Sequence, residues 1–203
     1  MNLLGVFYKM GLELDLGCGK NKHKGAIGLD MNRGLVGVVD VIHEVTSRTF
    51  LPFLDNSFSK VYMLDFIEHI PDIPHLLSEV HRVSKPHAEV IIRYPHYSDP
   101  NAKNDSTHIH QLGLRCFDHF DPTTAYGKKY AYYAQYDSQF PFRIIAVKPT
   151  FRSTEYFILK TSPIARGLYK RFGPDIYEAH FSSLLPIENV EVVMNVIKCG
   201  NSL

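Results

Sequence analysis

The stretch Leu12-Glu13-Leu14-Asp15-Leu16-Gly17-Cys18-Gly19 is an apolar run that ends on an aspartate and a pair of glycines. Glycines at such a turn let the backbone come close to a ligand at the carboxyl end of a sheet strand. The next apolar run ends in Gly28-Leu29-Asp30, where a carboxylate can accept hydrogen bonds from both hydroxyls of a ribose. A nicotinamide dinucleotide site uses the same logic, but it needs a third glycine three residues after the second and an acidic residue roughly 20 residues further on. Here Lys22 holds the third-glycine position and Asp30 arrives early. The connection is also too short for a full helix whose N-terminus would hold a pyrophosphate. The spacing disfavours a dinucleotide-dependent oxidoreductase.

Outward from this turn, short apolar runs alternate with turn signals. Residues 11–16, 26–30, 36–42, 60–64 and 88–94 read as strands without polar alternation, as in a parallel sheet covered on both faces. Between the fourth and fifth, Ile73, Leu76, Leu77, Val80 and Val83 recur at helical spacing behind Pro71, Asp72 and Pro74, and residues 84–87 stop the helix. A strand, helix, strand unit of this length predicts a right-handed crossover. The two earlier connections are too short for such a crossover, so their helices must be very short or replaced by loops. After an irregular stretch, residues 142–148 and 190–198 read as strands, residues 163–172 as a helix and 175–184 as a further helix.

The 203 residues suit one ordinary domain, and the formal charge of +1 supplies no general basic field for nucleic acid. Cys18, Cys116 and Cys199 lie far apart with no CxxC pair, which is neither a disulfide framework nor a zinc signature. Residues 1–10 carry no basic signal-peptide region, and no run approaches the length of a membrane span. A cytoplasmic protein is the expectation; the oligomeric state is left open.

The strings Leu14-Asp15-Leu16-Gly17-Cys18-Gly19, Leu51-Pro52-Phe53-Leu54-Asp55-Asn56-Ser57-Phe58, Ile67-Glu68-His69-Ile70 and Glu79-Val80-His81-Arg82-Val83 follow one another in order over residues 12–95. Together they resemble the motifs of class I S-adenosylmethionine-dependent methyltransferases, in particular the type 11 branch. Tyr177-Glu178 and Leu185-Pro186 look like that branch as well. The resemblance implies an α/β, Rossmann-like sheet, mostly parallel, of about seven strands with an antiparallel last strand, with shortened early helices and a long insertion after the fifth strand. It implies a single domain over residues 1–203, and S-adenosylmethionine as cofactor. Gly17 and Gly19 would pass under the methionine and ribose part, Asp15 would lie near the amino group, and Asp30 would bind the ribose. Glu44 would sit beside the adenine, with Asp40 as a competitor, and Asp65 would face the methionine end. Glu68 and His69 read as a helix-start pair rather than as catalytic groups. The sequence departs from the branch at His87, where a glycine is usual, and in lacking its N-terminal extension.

Eight of the 11 histidines lie between His69 and His119. The segment 95–140 is too long for an ordinary connection, follows the fifth strand, and should cover the substrate at the carboxyl edge of the sheet. Three readings of its histidines compete. His96, His108 or His110 could be a general base for a hydroxyl or amine acceptor. His108 and His110, on one side of an extended chain, could bind a metal with His96 or Asp105, although no metal-ligand set is assigned from the spacing. The imidazoles could also be structural. Tyr126, Tyr130, Tyr132, Tyr133 and Tyr136, which follow, could stack on a base or cap the core. The expected activity is methyl transfer to an O or N atom of an unidentified acceptor. The rival is a non-catalytic S-adenosylmethionine-binding module that engages a protein partner.

Overall fold

The computed structural model describes residues 11–34, 37–130, 141–152 and 161–198. Seven strands form one sheet: β1 (Leu12–Leu16), β2 (Ile27–Asp30), β3 (Val41–Ile42), β4 (Phe58–Leu64), β5 (Ser84–Pro95), β6 (Phe142–Phe151) and β7 (Ile187–Val196). Their order is β3-β2-β1-β4-β5-β7-β6, and β7 alone runs against its neighbours. The order reverses between β1 and β4, the position at which open α/β sheets bind ligands beyond their carboxyl ends.

The sheet's two kinds of parallel connection have different chemistry. Between β4 and β5 runs α1 (Ile73–Val83), an amphipathic helix whose Leu76, Leu77, Val80 and Val83 are buried. Asp72 caps it by accepting from the His75 N–H at 2.9 Å, and Pro74 pre-sets the first turn. The helix also holds the preceding segment. Glu79 accepts the Leu51 N–H at 2.7 Å and pairs with Arg82, whose guanidinium donates to the carbonyls of Leu51 and Phe53 and to Asp55. The Leu51–Phe58 motif is thus tied to the Glu79–Val83 motif by polar bonds.

The connections from β1 to β2 and from β2 to β3 contain no helix among the described residues. Loops replace both helices, and polar side chains hold them. Asp15 accepts the His23 N–H at 2.7 Å, Asp30 the Gly19 N–H at 2.9 Å, and Asp40 the Gly28 N–H at 2.8 Å while pairing with Lys22 at 2.7 Å. The His23 ring stacks on Tyr62 with centroids 4.0 Å apart, covering sheet that a helix would otherwise cover. The third strand is shorter than residues 36–42. Gly37 turns the chain at φ 82°, and only Val41 and Ile42 pair with β2. Residue 36 lies outside the described residues. Residues 84–87 end α1, as expected, but already belong to β5, where the register shifts and His87 takes a left-handed φ of 61°.

The long segment after β5 is partly core. It carries two short helices, α2 (Asn101–Asn104) and α3 (Ala125–Tyr130). Its Leu112, Leu114, Phe117 and Phe120 are buried in the main hydrophobic cluster. The Tyr94 hydroxyl donates to the Gly113 carbonyl at 2.9 Å, and Asp121 accepts the Ile144 N–H at 2.8 Å. Of the tyrosines beyond Tyr126, Tyr132, Tyr133 and Tyr136 lie outside the described residues. The β6–β7 connection is helical, with α4 (Thr161–Phe172) and α5 (Pro174–His180) joined at Gly173. No helix among the described residues is long and apolar enough to cross a membrane.

Candidate functional site

A cleft of about 450 Å³ opens at the carboxyl ends of β1, β2 and β4, walled by Gly17, Asp30, Glu44, Asp65, Phe66 and His69 among others. Gly17 takes φ 66°, and a Cβ there would stand 2.1 Å from the Phe66 ring. Glycine is therefore needed at this position on two counts, conformation and space. Gly19 takes φ 51°, and a Cβ there would meet nothing within 4 Å. Gly19 is not among the cleft residues, but open space lies beside it in the same turn.

The expected cofactor residues do not all reach the cleft. Asp30, Glu44 and Asp65 line it. Asp30 spends one oxygen on Gly19 and the other on the Asn32 N–H at 2.8 Å, each leaving lone pairs for a hydroxyl. Asp65 follows β4 in a left-handed conformation, φ 54°, and its carboxylate forks with the Arg93 guanidinium. Sparsely populated backbone at a cleft is held by its surroundings, here by the Asp65 N–H donating to the Arg93 carbonyl. Asp15 is buried below the turn and is not among the cleft residues; burial pushes its carboxyl up, against the pull of the His23 N–H. Asp40 is also not among the cleft residues. Lys22 and the Gly28 N–H hold its carboxyl below the usual range, so of the two adenine candidates Glu44 is the one facing the cavity.

The three candidate bases separate cleanly. His96 is fully buried, bonded through Nε2 to Glu178 at 2.9 Å and through Nδ1 to Ser98 at 2.8 Å. Both nitrogens are spent, Nε2 on tying the insertion to α5 and Nδ1 on a bond within the insertion. Burial pulls the Glu178 carboxyl up, but His96 and the Leu114 N–H bring it below the ordinary value. His110 donates from Nε2 to the Ile70 carbonyl at 2.9 Å, which fastens the segment to the turn after β4. His108 stands instead beside Glu68 and His69. Its Nε2 is 3.9 Å from Glu68 Oε1, and its ring meets that of His69 edge-on at 4.7 Å.

Sequence reasoning missed the position of Glu68. It sits in a single turn of 3-10 helix, Ile67–His69, only 1% exposed, and its Oε2 is buried without a hydrogen-bond partner. Burial pushes its carboxyl up to about 7. The signal was present in the Ile67-Glu68-His69-Ile70 string and in Asp105-Ser106-Thr107-His108; their proximity in space was not.

The residues present fit a nucleoside bearing a positive charge. The described lining holds three carboxylates and two imidazoles, and no lysine or arginine. His43, beside Glu44 in the wall, keeps a buried Nε2 without a partner. A pyrophosphate would find no lysine or arginine in the described lining, the nearby Arg93 being paired with Asp65; a sulfonium and an amine would find carboxylates.

Comparisons with known proteins agree. Residues 14–92 match a family model described as a methyltransferase domain. A stretch of 75 residues is 31% identical to phosphoethanolamine N-methyltransferase 2 of Caenorhabditis elegans, covering 32% of this chain and 17% of that protein. The chain therefore spans less than a fifth of that relative. Among solved structures, a S-adenosylmethionine-dependent methyltransferase from Archaeoglobus fulgidus superimposes with a TM-score of 0.55 at 17% identity, covering 95% of this chain and 89% of that one. The YcgJ protein of Bacillus subtilis superimposes with a TM-score of 0.53 at 15% identity, covering 97% and 98%. At such identities the structures show the fold. Fold and family match together imply S-adenosylmethionine as cofactor.

Proposed function

We propose that this chain, a class I S-adenosylmethionine-dependent methyltransferase in its fold and in the match of residues 14–92, moves a methyl group to an O or N atom of an acceptor. The observation that carries this reading is the cleft at the sheet's switch point, lined by Asp30, Glu44 and Asp65 with no lysine or arginine in its described lining. When bound, the cofactor supplies an electrophilic methyl: its carbon–sulfur bond breaks with the electron pair kept by sulfur, and an acceptor lone pair forms the new bond.

The chain's own residues bind, orient and exclude water. Gly17 and Gly19 let the backbone pass close under the ligand. Asp30 accepts from the ribose hydroxyls, Glu44 takes the adenine amino group, and Asp65 faces the methionine end. Asp15 acts through the loop it holds, by fixing residue 23. Alignment of acceptor and methyl is a large contribution that a protein can make to such a displacement. An acceptor that must lose a proton would give it up at the cluster of Glu68, His69 and His108, at the rim of the same cleft, so His108 is favoured over His96 and His110 as the residue at the reacting end. The nitrogen acceptor named for the Caenorhabditis elegans relative is in keeping with this, and the acceptor class is left at O or N. The protein acts in the cytoplasm on this reading.

The test is transfer of labelled methyl from S-adenosylmethionine to fractionated cell extract. The reading expects label in one acceptor fraction and its loss in Asp30→Ala. Cofactor binding without label in any fraction would favour a binding module that engages a protein partner.

A further inference from the structure

The insertion folds back onto the turn after β4 by two main-chain bonds. The N–H groups of Ile109 and His110 donate to the Glu68 carbonyl at 3.0 and 3.3 Å. This sets His108 against Glu68 and His69, so that one ligand atom from each lies within 4.8 Å of the others. We propose that Glu68, His69 and His108 bind one first-row divalent transition-metal ion, of which zinc is the type, with a coordination position left open for the acceptor's heteroatom.

The hydrogen bonds fix which nitrogens are free. His69 Nδ1 lies 3.2 Å from the Thr107 carbonyl, and His108 Nδ1 lies 3.3 Å from the Ala102 carbonyl. A carbonyl only accepts, so each Nδ1 carries the proton and each neutral ring keeps its lone pair on Nε2. His108 Nε2 then faces Glu68 Oε1 at 3.9 Å and Asp105 Oδ2 at 3.7 Å. Lone pairs turned toward one another repel, and a proton or a metal cation among them relieves this; only a metal engages all the ligands at once. Imidazoles held by their other nitrogen on main-chain carbonyls are the usual outer support of metal-binding histidines. The buried, unpartnered Glu68 Oε2 belongs to the same arrangement.

The donor set selects the class of ion. Two imidazoles and one carboxylate suit zinc and its first-row neighbours, whereas calcium and magnesium take oxygen ligands. Atoms bound to one zinc at about 2.0–2.1 Å stand roughly 3.3–3.6 Å apart, so the three side chains need to close by at most about 1.5 Å from their 4.8 Å span. Asp105 is the fourth group at the open side; its Oδ1 is committed to the Thr107 N–H and hydroxyl at 2.8 and 2.6 Å, which leaves Oδ2. Two cavities flank the cluster. His69 lines the cofactor cleft, and His108 lines a recess of about 500 Å³ with Asn101, Asn104, Asp105 and Ser106. An ion held between them would bind an acceptor heteroatom entering from the recess and favour its deprotonated form. That role rests on the methyltransferase reading; the metal site does not.

The test uses untagged full-length protein, stripped with chelator, dialysed, and titrated with cobalt(II) and then zinc(II). The expected result is a visible cobalt absorption that saturates at one ion per chain and is displaced by zinc. Glu68→Gln and His108→Asn should each weaken cobalt binding at least tenfold. Circular dichroism and S-adenosylmethionine calorimetry on the same samples report folding and cofactor binding. If Glu68→Gln does not fold, His108→Asn, on the insertion, carries the comparison. Folded, cofactor-binding wild type without cobalt absorption would overturn the metal site and leave the methyltransferase reading standing. Stoichiometric cobalt binding that His108→Asn does not weaken would overturn the ligand set. Cobalt binding that both variants weaken, in protein blind to S-adenosylmethionine, would uphold the metal site while the methyltransferase reading fails.

Discussion

The connection through α1 and the two connections through loops solve the same problem, carrying the chain between neighbouring parallel strands, with opposite means. The helix buries Leu76, Leu77, Val80 and Val83 and is capped at its start, so its place is set by apolar contact. The loops carry few such residues and are held by carboxylates that accept main-chain N–H groups. A helical crossover stabilises the sheet and can tolerate changes in the cleft. A polar loop crossover makes folding and ligand binding share residues, because Asp30 both fixes Gly19 and lines the cavity.

This contrast can be broken from either side. Arg82→Ala in the helical unit should have the largest effect on stability, about 3–5 kcal/mol in urea denaturation, because it strips the buried Glu79 of its cation. Its folded fraction should bind S-adenosylmethionine within about twofold of wild type on the fold-per-kcal scale. Gly17→Ala comes next: the left-handed φ and the Phe66 ring together should cost about 2–4 kcal/mol and cofactor affinity as well. Asp30→Ala should lower S-adenosylmethionine affinity about 10–100-fold by calorimetry, the worth of hydrogen bonds to a charged acceptor. It should also cost stability, since the Gly19 N–H loses its partner. Lys22→Met, at a partly exposed pair, should cost about 1 kcal/mol or less and leave the other quantities near wild type.

Acid unfolding sharpens the same contrast. Burial pulls the Glu79 carboxyl up, but Arg82 and the Leu51 N–H more than offset this and leave it below the ordinary value of 4.5. A carboxyl whose folded value is depressed contributes stability that is present above the unfolded value and lost as the pH falls through the folded one. Glu79→Gln should therefore be less stable than wild type at neutral pH, and the difference should shrink below pH 4.5 in pH-dependent denaturation.

Much of the fold could be read along the chain because its signals are local. The glycine turn, the early Asp30 and the 3.6-residue spacing from Ile73 to Val83 each lie within a few residues, and the short spacers required the first two helices to be very short or replaced by loops. The third strand was overextended because β-branched residues suggested pairing where Gly37 turns the chain. The reacting end was much less legible. His96 and His108 look alike in sequence, and what distinguishes them is a partner far away: Glu178, 82 residues on, for His96, and Glu68 for His108. Asp15 and Asp40 likewise share a residue type with Asp30, but loop N–H groups and Lys22 claim them.

The central claim is that the acidic cleft beside the glycine turn receives S-adenosylmethionine. Calorimetric titration of the full chain with S-adenosylmethionine, with NAD as the comparison ligand, tests it most directly. The account predicts one-to-one binding of S-adenosylmethionine, weakened in Asp30→Ala, and no heat with NAD. Binding of NAD with no response to S-adenosylmethionine, in folded protein, would contradict it.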